Sequence, residues 1–135
     1  MKTLRITLSV ALLLAATATF AQTKEGDVTA DVPFAFVVAG KSLPAGHYIV
    51  SHLNDSLRIH DRDNQGLFVP IHSTQRSAHD NATKMVFHRY GNTYFLAEIW
   101  IGGSAFGRAT FPTQAERELA ERGTESELAI VSMGK

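Results

Sequence analysis

The segment KMVFHRYGNTYFLAEIW, residues 84–100, has the pattern of two strands joined by a tight turn. Its centre, Gly91-Asn92, suits a two-residue hairpin turn because both residue types tolerate a positive φ. Such a turn places His88 opposite Phe95, and aromatic cross-strand pairs of this kind stabilise a sheet by about 0.2–1 kcal/mol each. The segment therefore predicts an antiparallel hairpin within a larger sheet.

The register of this hairpin decides whether its polar side chains can act together. Glu98 lies opposite Met85, on the face that carries Phe87, whereas His88 points to the other face because side chains alternate along a strand. A carboxylate and an imidazole on opposite faces of a sheet cannot exchange a proton directly. The hairpin is therefore predicted to be structural, and no catalytic residue is assigned.

The chain from residue 28 onward has the same pattern of short strands separated by turns. Short apolar runs are separated by Gly, Pro, Asn or Asp about every eight to twelve residues, which is typical of an all-β sandwich or barrel. Strands are predicted over residues 28–38, 47–53, 57–61, 67–73, 85–90, 93–101, 108–111 and 128–133. The predicted fold class is all-β, a mainly antiparallel sandwich or small barrel of about seven or eight strands.

A second tight turn is predicted at Asn54-Asp55, between two alternating apolar runs. A two-residue turn places His52 opposite Leu57. Including Ser56 in the turn would shift the register by one residue and move every side chain to the opposite face. Both registers remain open at this point.

One short helix is predicted over residues 113–122. Thr113 and Glu116 have the spacing of a capping box, and Gly123 follows the last helical residue. A helix of about ten residues is too short to be stable alone in water. We therefore expect it to pack against the sheet.

The amino-terminal residues 1–21 have the pattern of a secretory signal peptide. Lys2 and Arg5 precede an apolar run, and small residues lead to a predicted cleavage between Ala21 and Gln22. The run is shorter than the about 20 residues that a membrane-spanning helix needs. The prediction is a secreted or periplasmic protein with no stable membrane insertion after the signal is removed.

The mature chain would be residues 22–135, a single β-rich domain of 114 residues; cleavage after Ala18 is the alternative. Removal of the signal leaves 11 basic and 13 acidic residues, a formal charge of −2. This balance does not favour nucleic acid as a partner. The chain has no cysteine, which excludes disulfides, thiolate metal sites and a thiol nucleophile.

Six histidines are the main candidates for a metal site: His47, His52, His60, His72, His79 and His88. Imidazole is the commonest metal ligand. However, the chain has neither a His-x-His nor an HExxH pattern, and three converging ligands are not visible. No cofactor or metal is predicted, and His52, His60 and His88 are the metal-ligand candidates if this prediction fails.

Two loops partly match known functional patterns. GGSAF, residues 102–106, begins like a nucleophile elbow around Ser104 but lacks its final glycine. DRDNQG, from Asp61, resembles a calcium loop but lacks the spacing and the late glutamate. A glycine turn and a hairpin loop are the preferred interpretations. Many aromatic residues could line a ligand cavity if the sheet closes into a barrel, although a domain of this size more often fills its interior with side chains.

Three blocks carry a resemblance: DVPFAFVVAGKSLPAGHYIV (residues 31–50), KMVFHRYGNTYFLAEIW (residues 84–100) and FPTQAERELA (residues 111–120). Together they resemble a group of small, exported, functionally uncharacterised proteins of soil bacteria, over nearly the whole mature chain. The resemblance implies no activity, cofactor or site residue. The Leu-Pro-Ala-Gly-x-Tyr part is also similar to strand entries of exported β-sandwich modules, which favours a sandwich by analogy.

Two functions remain open. The first is an exported, non-catalytic β-domain that binds an unknown protein or small ligand or serves the cell envelope; residues 32–37 could act as an exposed edge strand that recruits another chain. The second is a small metal-dependent or hydrolytic enzyme that uses the scattered histidines. The first is preferred because no complete catalytic or metal-binding pattern is present.

Overall fold

The structure, a computed structural model, describes residues 27–75, 81–104 and 106–134. The predicted signal peptide, with its cleavage at Ala21 and Gln22 and the alternative at Ala18, lies outside the described residues. His79 lies outside them as well.

Within the described residues the chain forms ten strands and one helix. In chain order they are β1 (Val28–Val32), β2 (Phe36–Val38), β3 (Lys41–Leu43), β4 (Gly46–Leu53), β5 (Ser56–His60), β6 (Gly66–Gln75), β7 (Lys84–Tyr90), β8 (Thr93–Trp100), β9 (Phe106–Thr110), α1 (Gln114–Glu121) and β10 (Glu127–Gly134). All eight predicted strands are present, and the short helix is confirmed. The predicted strand over residues 28–38 is divided around Pro33, which has no N–H to donate to a ladder.

Eight of these strands form a closed antiparallel barrel. Their order around the ring is β8-β7-β10-β1-β4-β5-β6-β9, and pairing of β9 with β8 closes it through Glu98 opposite Ala109 and Ile99 opposite Arg108. Strands β2 and β3 lie outside the ring, where β2 pairs in parallel with β8. Of the two architectures that the sequence left open, the chain adopts the barrel, and not the sandwich that analogy favoured.

Closure of the barrel removes the edge strand predicted over residues 32–37. β1 lies between β10 and β4, and β2 lies between β3 and β8. The strand at the end of the described sheet order is β3, which has three residues and begins with the exposed Lys41. Short strands and edge lysines discourage pairing with another chain. The prediction that residues 32–37 form an exposed edge strand is therefore wrong.

Aromatic side chains fill one end of the barrel. Phe34, between β1 and β2, stacks on Tyr94 with ring centroids 3.8 Å apart and meets Phe87 edge-on at 5.0 Å. Phe36 contacts Phe87 and Tyr48, each at 5.3 Å. Aromatic pairs of this kind contribute about 0.5–1.5 kcal/mol each beyond the area that they bury. The predicted filling of the interior by side chains is thus correct for this end.

The hydroxyl group of Tyr48 has a hydrogen-bond partner at this end of the barrel, which we call the closed end. The hydroxyl donates a hydrogen bond to the carbonyl oxygen of Pro44, four residues earlier. Burial raises the pKa of Tyr48, and the negative charge of Asp61 raises it further. The tyrosine is therefore a neutral structural donor here, and it holds the turn before β4 against the core.

The hairpin of β7 and β8 follows the predicted register only part of the way. Pairing runs from the Gly91-Asn92 turn as far as Phe87 opposite Leu96. The next pair joins Val86 and Glu98, so Ala97 is an extra residue on β8. This is a β-bulge, which locally reverses the alternation of side chains between the two faces.

The bulge shows that the predicted position of Glu98 was wrong. Ile99, not Glu98, lies opposite Met85 and belongs to the core, where Ile99 is 1% exposed. Glu98 instead lies on the outer face, with His88. An unpaired carboxylate in the interior would cost several kcal/mol, whereas a bulge loses only local ladder hydrogen bonds. The predicted separation of His88 from Glu98 is therefore also wrong.

Helix α1 begins after Thr113, whose hydroxyl accepts a hydrogen bond from the N–H of Glu116 at 3.3 Å. The buried side chain of Glu116 faces the barrel, which confirms that the helix packs on the sheet. Among the described residues, no helix is both long and apolar enough to cross a bilayer.

Candidate functional site

The end of the barrel opposite the aromatic cluster contains a cavity of about 250 Å³. We call it the mouth cavity. Its inner wall consists of core residues from four strands: Val28, Val50, Leu57 and Ile99. Nearer the solvent, the cavity is lined by Ile101 and Phe106, which are 38% and 52% exposed. An apolar space that opens at the mouth of a β-barrel is a common location for small-ligand sites.

Two polar side chains lie at the edge of this apolar space. The two-residue register predicted for the Asn54-Asp55 turn is confirmed in the hairpin of β4 and β5, and it places His52 opposite Leu57, on the inward face. Arg108 faces inward because it pairs with Ile99 where β9 closes the barrel. The Nε–H of Arg108 donates to Nε2 of His52 at 3.3 Å.

A second, polar cleft of about 150 Å³ adjoins the mouth cavity. It shares His52 and Arg108 with the cavity, and its other polar side chains come from the β4–β5 turn and from the end of β6: Asn54, Asp55, His72 and Ser73. The ring of His72 also packs against Phe111, with centroids 4.9 Å apart. Apolar and polar surfaces therefore meet at the Arg108–His52 pair, a combination that suits an amphipathic molecule.

His88 lies away from this site, on the outer wall under α1. Its Nδ1 is 2.8 Å from Oε1 of Glu116, whose side chain is 8% exposed. The hydrogen bond to Glu116 raises the pKa of His88, burial opposes the rise, and the charges of Glu116 and Glu98 add to it. Glu98 in turn accepts a hydrogen bond from Nε1 of Trp100 at 2.7 Å. This network attaches the helix to the barrel, and none of its residues lines the mouth cavity or the polar cleft.

The three metal-ligand candidates do not converge. His52 lies at the mouth and His88 on the outer wall, while His60 ends β5 near the closed end of the barrel, opposite Ile49. Nδ1 of His60 is buried and has no hydrogen-bond partner among the described residues. In the described part of the chain, no group of three or more His, Asp or Glu side chains is arranged to hold a metal ion.

In the glycine loop after β8, the backbone N–H groups of residues 102–104 all have hydrogen-bond partners. The N–H of Gly102 donates to Oγ1 of Thr83 at 2.8 Å, and the N–H of Gly103 donates to Oδ1 of Asn81. Ser104 donates its hydroxyl to the carbonyl of Phe106 at 3.0 Å. Because these groups already have partners, residues 102–104 offer no free N–H group for an anion, and the hydroxyl of Ser104 donates to a backbone carbonyl and not to a described histidine.

The loop that resembles a calcium site is a hairpin loop. Oδ1 of Asp61 accepts hydrogen bonds from the N–H groups of Asp63 at 3.0 Å and Gln65 at 2.9 Å. Asn64 has a φ of 61°, which this turn requires and asparagine tolerates. The carboxylate of Asp61 therefore stabilises the turn between β5 and β6.

No protein-family model matches the chain, and no curated protein or solved structure is significantly similar to it. Sequence reasoning named His52 only as a metal-ligand candidate and missed Arg108. A short strand that presents Arg108 inward between the small residues Gly107 and Ala109 was the available signal.

Proposed function

We propose that this protein is an exported, non-catalytic binding protein that holds a small ligand in the mouth cavity of its β-barrel. The observation that carries the proposal is the contrast between the two ends of the barrel. Aromatic rings fill one end, whereas the other retains a cavity of about 250 Å³ whose inner wall is apolar. A barrel that served only as a rigid scaffold would gain stability from filling this space.

The size of the cavity limits the ligand. One water molecule occupies about 30 Å³ in the liquid, so the cavity corresponds to about eight water-sized groups. Its volume lies just below the range of about 300–1,000 Å³ that is usual for drug-sized ligands. A chain of about seven or eight carbon atoms, or one small ring system, would fill it.

Export is supported by the sequence pattern of residues 1–21. A basic start, an apolar run and small residues before Ala21 are together typical of a cleaved signal. Intact-mass measurement of the protein recovered from the periplasm or medium tests this part of the proposal. We expect a chain that begins at Gln22; a protein that stays in the cytoplasm and retains Met1 would contradict it.

The ligand site can be tested with octan-1-ol, a neutral probe that fits the cavity. In a methyl NMR titration, we expect saturable shifts at Val50, Leu57 and Ile99, which form the inner wall. The methyl groups of Ile130 are the internal control, because this residue is 57% exposed on the outer wall. Equal shifts at Ile130 and the inner wall would indicate nonspecific binding and contradict the proposal.

A pair of matched variants separates cavity binding from surface binding. Ile101→Trp adds bulk at the cavity edge and should weaken octan-1-ol binding by about tenfold or more, equivalent to about 1.4 kcal/mol. Phe68→Trp changes a side chain that is 63% exposed on the outer wall and should leave binding unchanged. An identical affinity in both variants would show that the probe does not enter the mouth.

A further inference from the structure

We propose that the natural ligand of the mouth cavity carries a carboxylate, which Arg108 binds at the cavity edge while the apolar part of the ligand packs inside. This inference rests on the proposed function and specifies the ligand class. The ligand would be a short amphipathic acid, with its chain against Leu57 and Ile99 and its head toward the polar cleft. Arg108 and His52 line both spaces and mark the point where head and chain would join.

The hydrogen bonds of Arg108 support a role in binding an anion. A guanidinium group has five N–H donors in a planar fork that matches a carboxylate. Among the described residues, the bond from Nε to His52 is its one hydrogen bond, and no described carboxylate forms an ion pair with it. The four remaining N–H groups include the two terminal nitrogens, so one side of the fork is available for a bidentate carboxylate.

The position of Arg108 gives its charge more effect than an ordinary surface arginine would have. Arg108 is half-buried and lies beside apolar walls, where a charge interacts more strongly than in bulk water. By comparison, Arg58 on the outer wall of β5 donates to Oδ1 of Asn64 and does not line the mouth cavity. Arg58 is therefore a suitable control for substitutions at Arg108.

The polar cleft limits the head to a small group of low charge. Its volume of about 150 Å³ corresponds to about five water molecules. His72 and Ser73 offer further hydrogen-bonding groups, whereas the carboxylate of Asp55 lies in the same cleft and would repel an anion. One arginine and one aspartate together favour a monoanion over a dianion such as a phosphate monoester.

Three probes with the same chain test the inference: octanoate, octan-1-ol and octylammonium, each titrated at pH 7.5 and fixed ionic strength. We expect octanoate to bind at least about tenfold more tightly than octylammonium, because the head lies beside a single unpaired guanidinium. This comparison uses the unmodified protein, so it is independent of whether any variant folds. Equal affinities for the two charged probes would overturn the inference.

Variants then assign the effect to one side chain. Arg108→Met should weaken octanoate binding by about tenfold or more and change octan-1-ol binding by less than about threefold. Arg58→Met should affect neither probe. Asp55→Asn should strengthen octanoate binding by about two- to threefold, because it removes a repulsive charge.

The results distinguish failure of this inference from failure of the proposed function. If octan-1-ol binds in the cavity but Arg108→Met leaves octanoate affinity unchanged, the carboxylate inference is wrong and the binding function stands. If neither octan-1-ol nor octanoate shifts the inner-wall methyl groups, both proposals are wrong.

Discussion

The contact between His88 and Glu116 should make the stability of the protein depend on pH in a defined direction. The pKa of His88 is raised in the folded protein, chiefly by its hydrogen bond to the Glu116 carboxylate. A group whose pKa is higher in the folded than in the unfolded chain stabilises the fold fully below the unfolded value, about 6.5, and loses that contribution as the pH rises through the folded value. Substituting His88 should therefore cost more at pH 5.5 than at pH 8.5.

The expected size follows from the geometry of the pair. The two atoms are 2.8 Å apart, and the side chain of Glu116 is 8% exposed, but that of His88 is 36% exposed. A hydrogen bond to a charged group contributes about 1.5–3 kcal/mol when it is shielded from water. Partial exposure reduces this value through solvent screening. We expect His88→Gln to lose about 1 kcal/mol more unfolding free energy at pH 5.5 than at pH 8.5.

Urea denaturation followed by tryptophan fluorescence is the appropriate assay, because Trp100 is the single tryptophan and lies in the same network. His47→Gln is the matched control. His47 makes a similar contact of 2.7 Å with Asp31, but the side chain of Asp31 is 88% exposed. Exposed pairs contribute little to stability. A cost of His88→Gln that is the same at both pH values, or a pH-dependent cost equal to that of His47→Gln, would refute the reasoning.

Two further predictions concern backbone positions. Gly107→Ala would place a Cβ atom 2.7 Å from the buried ring of Trp100 and should lower the unfolding free energy by about 1–3 kcal/mol. The control is Gly134→Ala, whose new Cβ has no atom within 4 Å; it should lower the unfolding free energy by less than about 0.5 kcal/mol or raise it. Equal costs of the two substitutions in urea denaturation would contradict the packing argument. Thr113→Ala should cost about 1 kcal/mol, because the N–H of Glu116 loses its capping oxygen. Unchanged stability of Thr113→Ala would show that the cap contributes nothing.

The parts of the fold that depend on local chemistry could be predicted from the sequence. Gly91-Asn92 and Asn54-Asp55 form the two expected turns, and the pairs next to each turn are those predicted. Turn residues determine the conformation of their own backbone, so a turn can be predicted from two to four consecutive residues. The cap of the short helix by Thr113 follows the same logic.

The parts that depend on contacts between distant strands could not be predicted in this way. The extra residue Ala97 moved Glu98 to the outer wall, although the cost of burying Glu98 beside the core residue Leu96 was a signal that the simple register would fail. Closure of the barrel through Ile99 and Arg108 has no local signature at all. The mouth cavity depends on that closure, so the candidate site could not be derived from the sequence.

The pairing of β1 with β10 has a consequence for how the chain matures. Thr29 and Gly134 are neighbours although they are 105 positions apart, and their two strands share only two residue pairs. During synthesis β1 emerges long before its neighbour, and the ring cannot close until residues 127–134 are available. Contacts between such distant positions form slowly, and an unpaired strand can aggregate in the meantime. A chain that ends before residue 127 would therefore leave β1 and β7 each without the neighbour that β10 supplies.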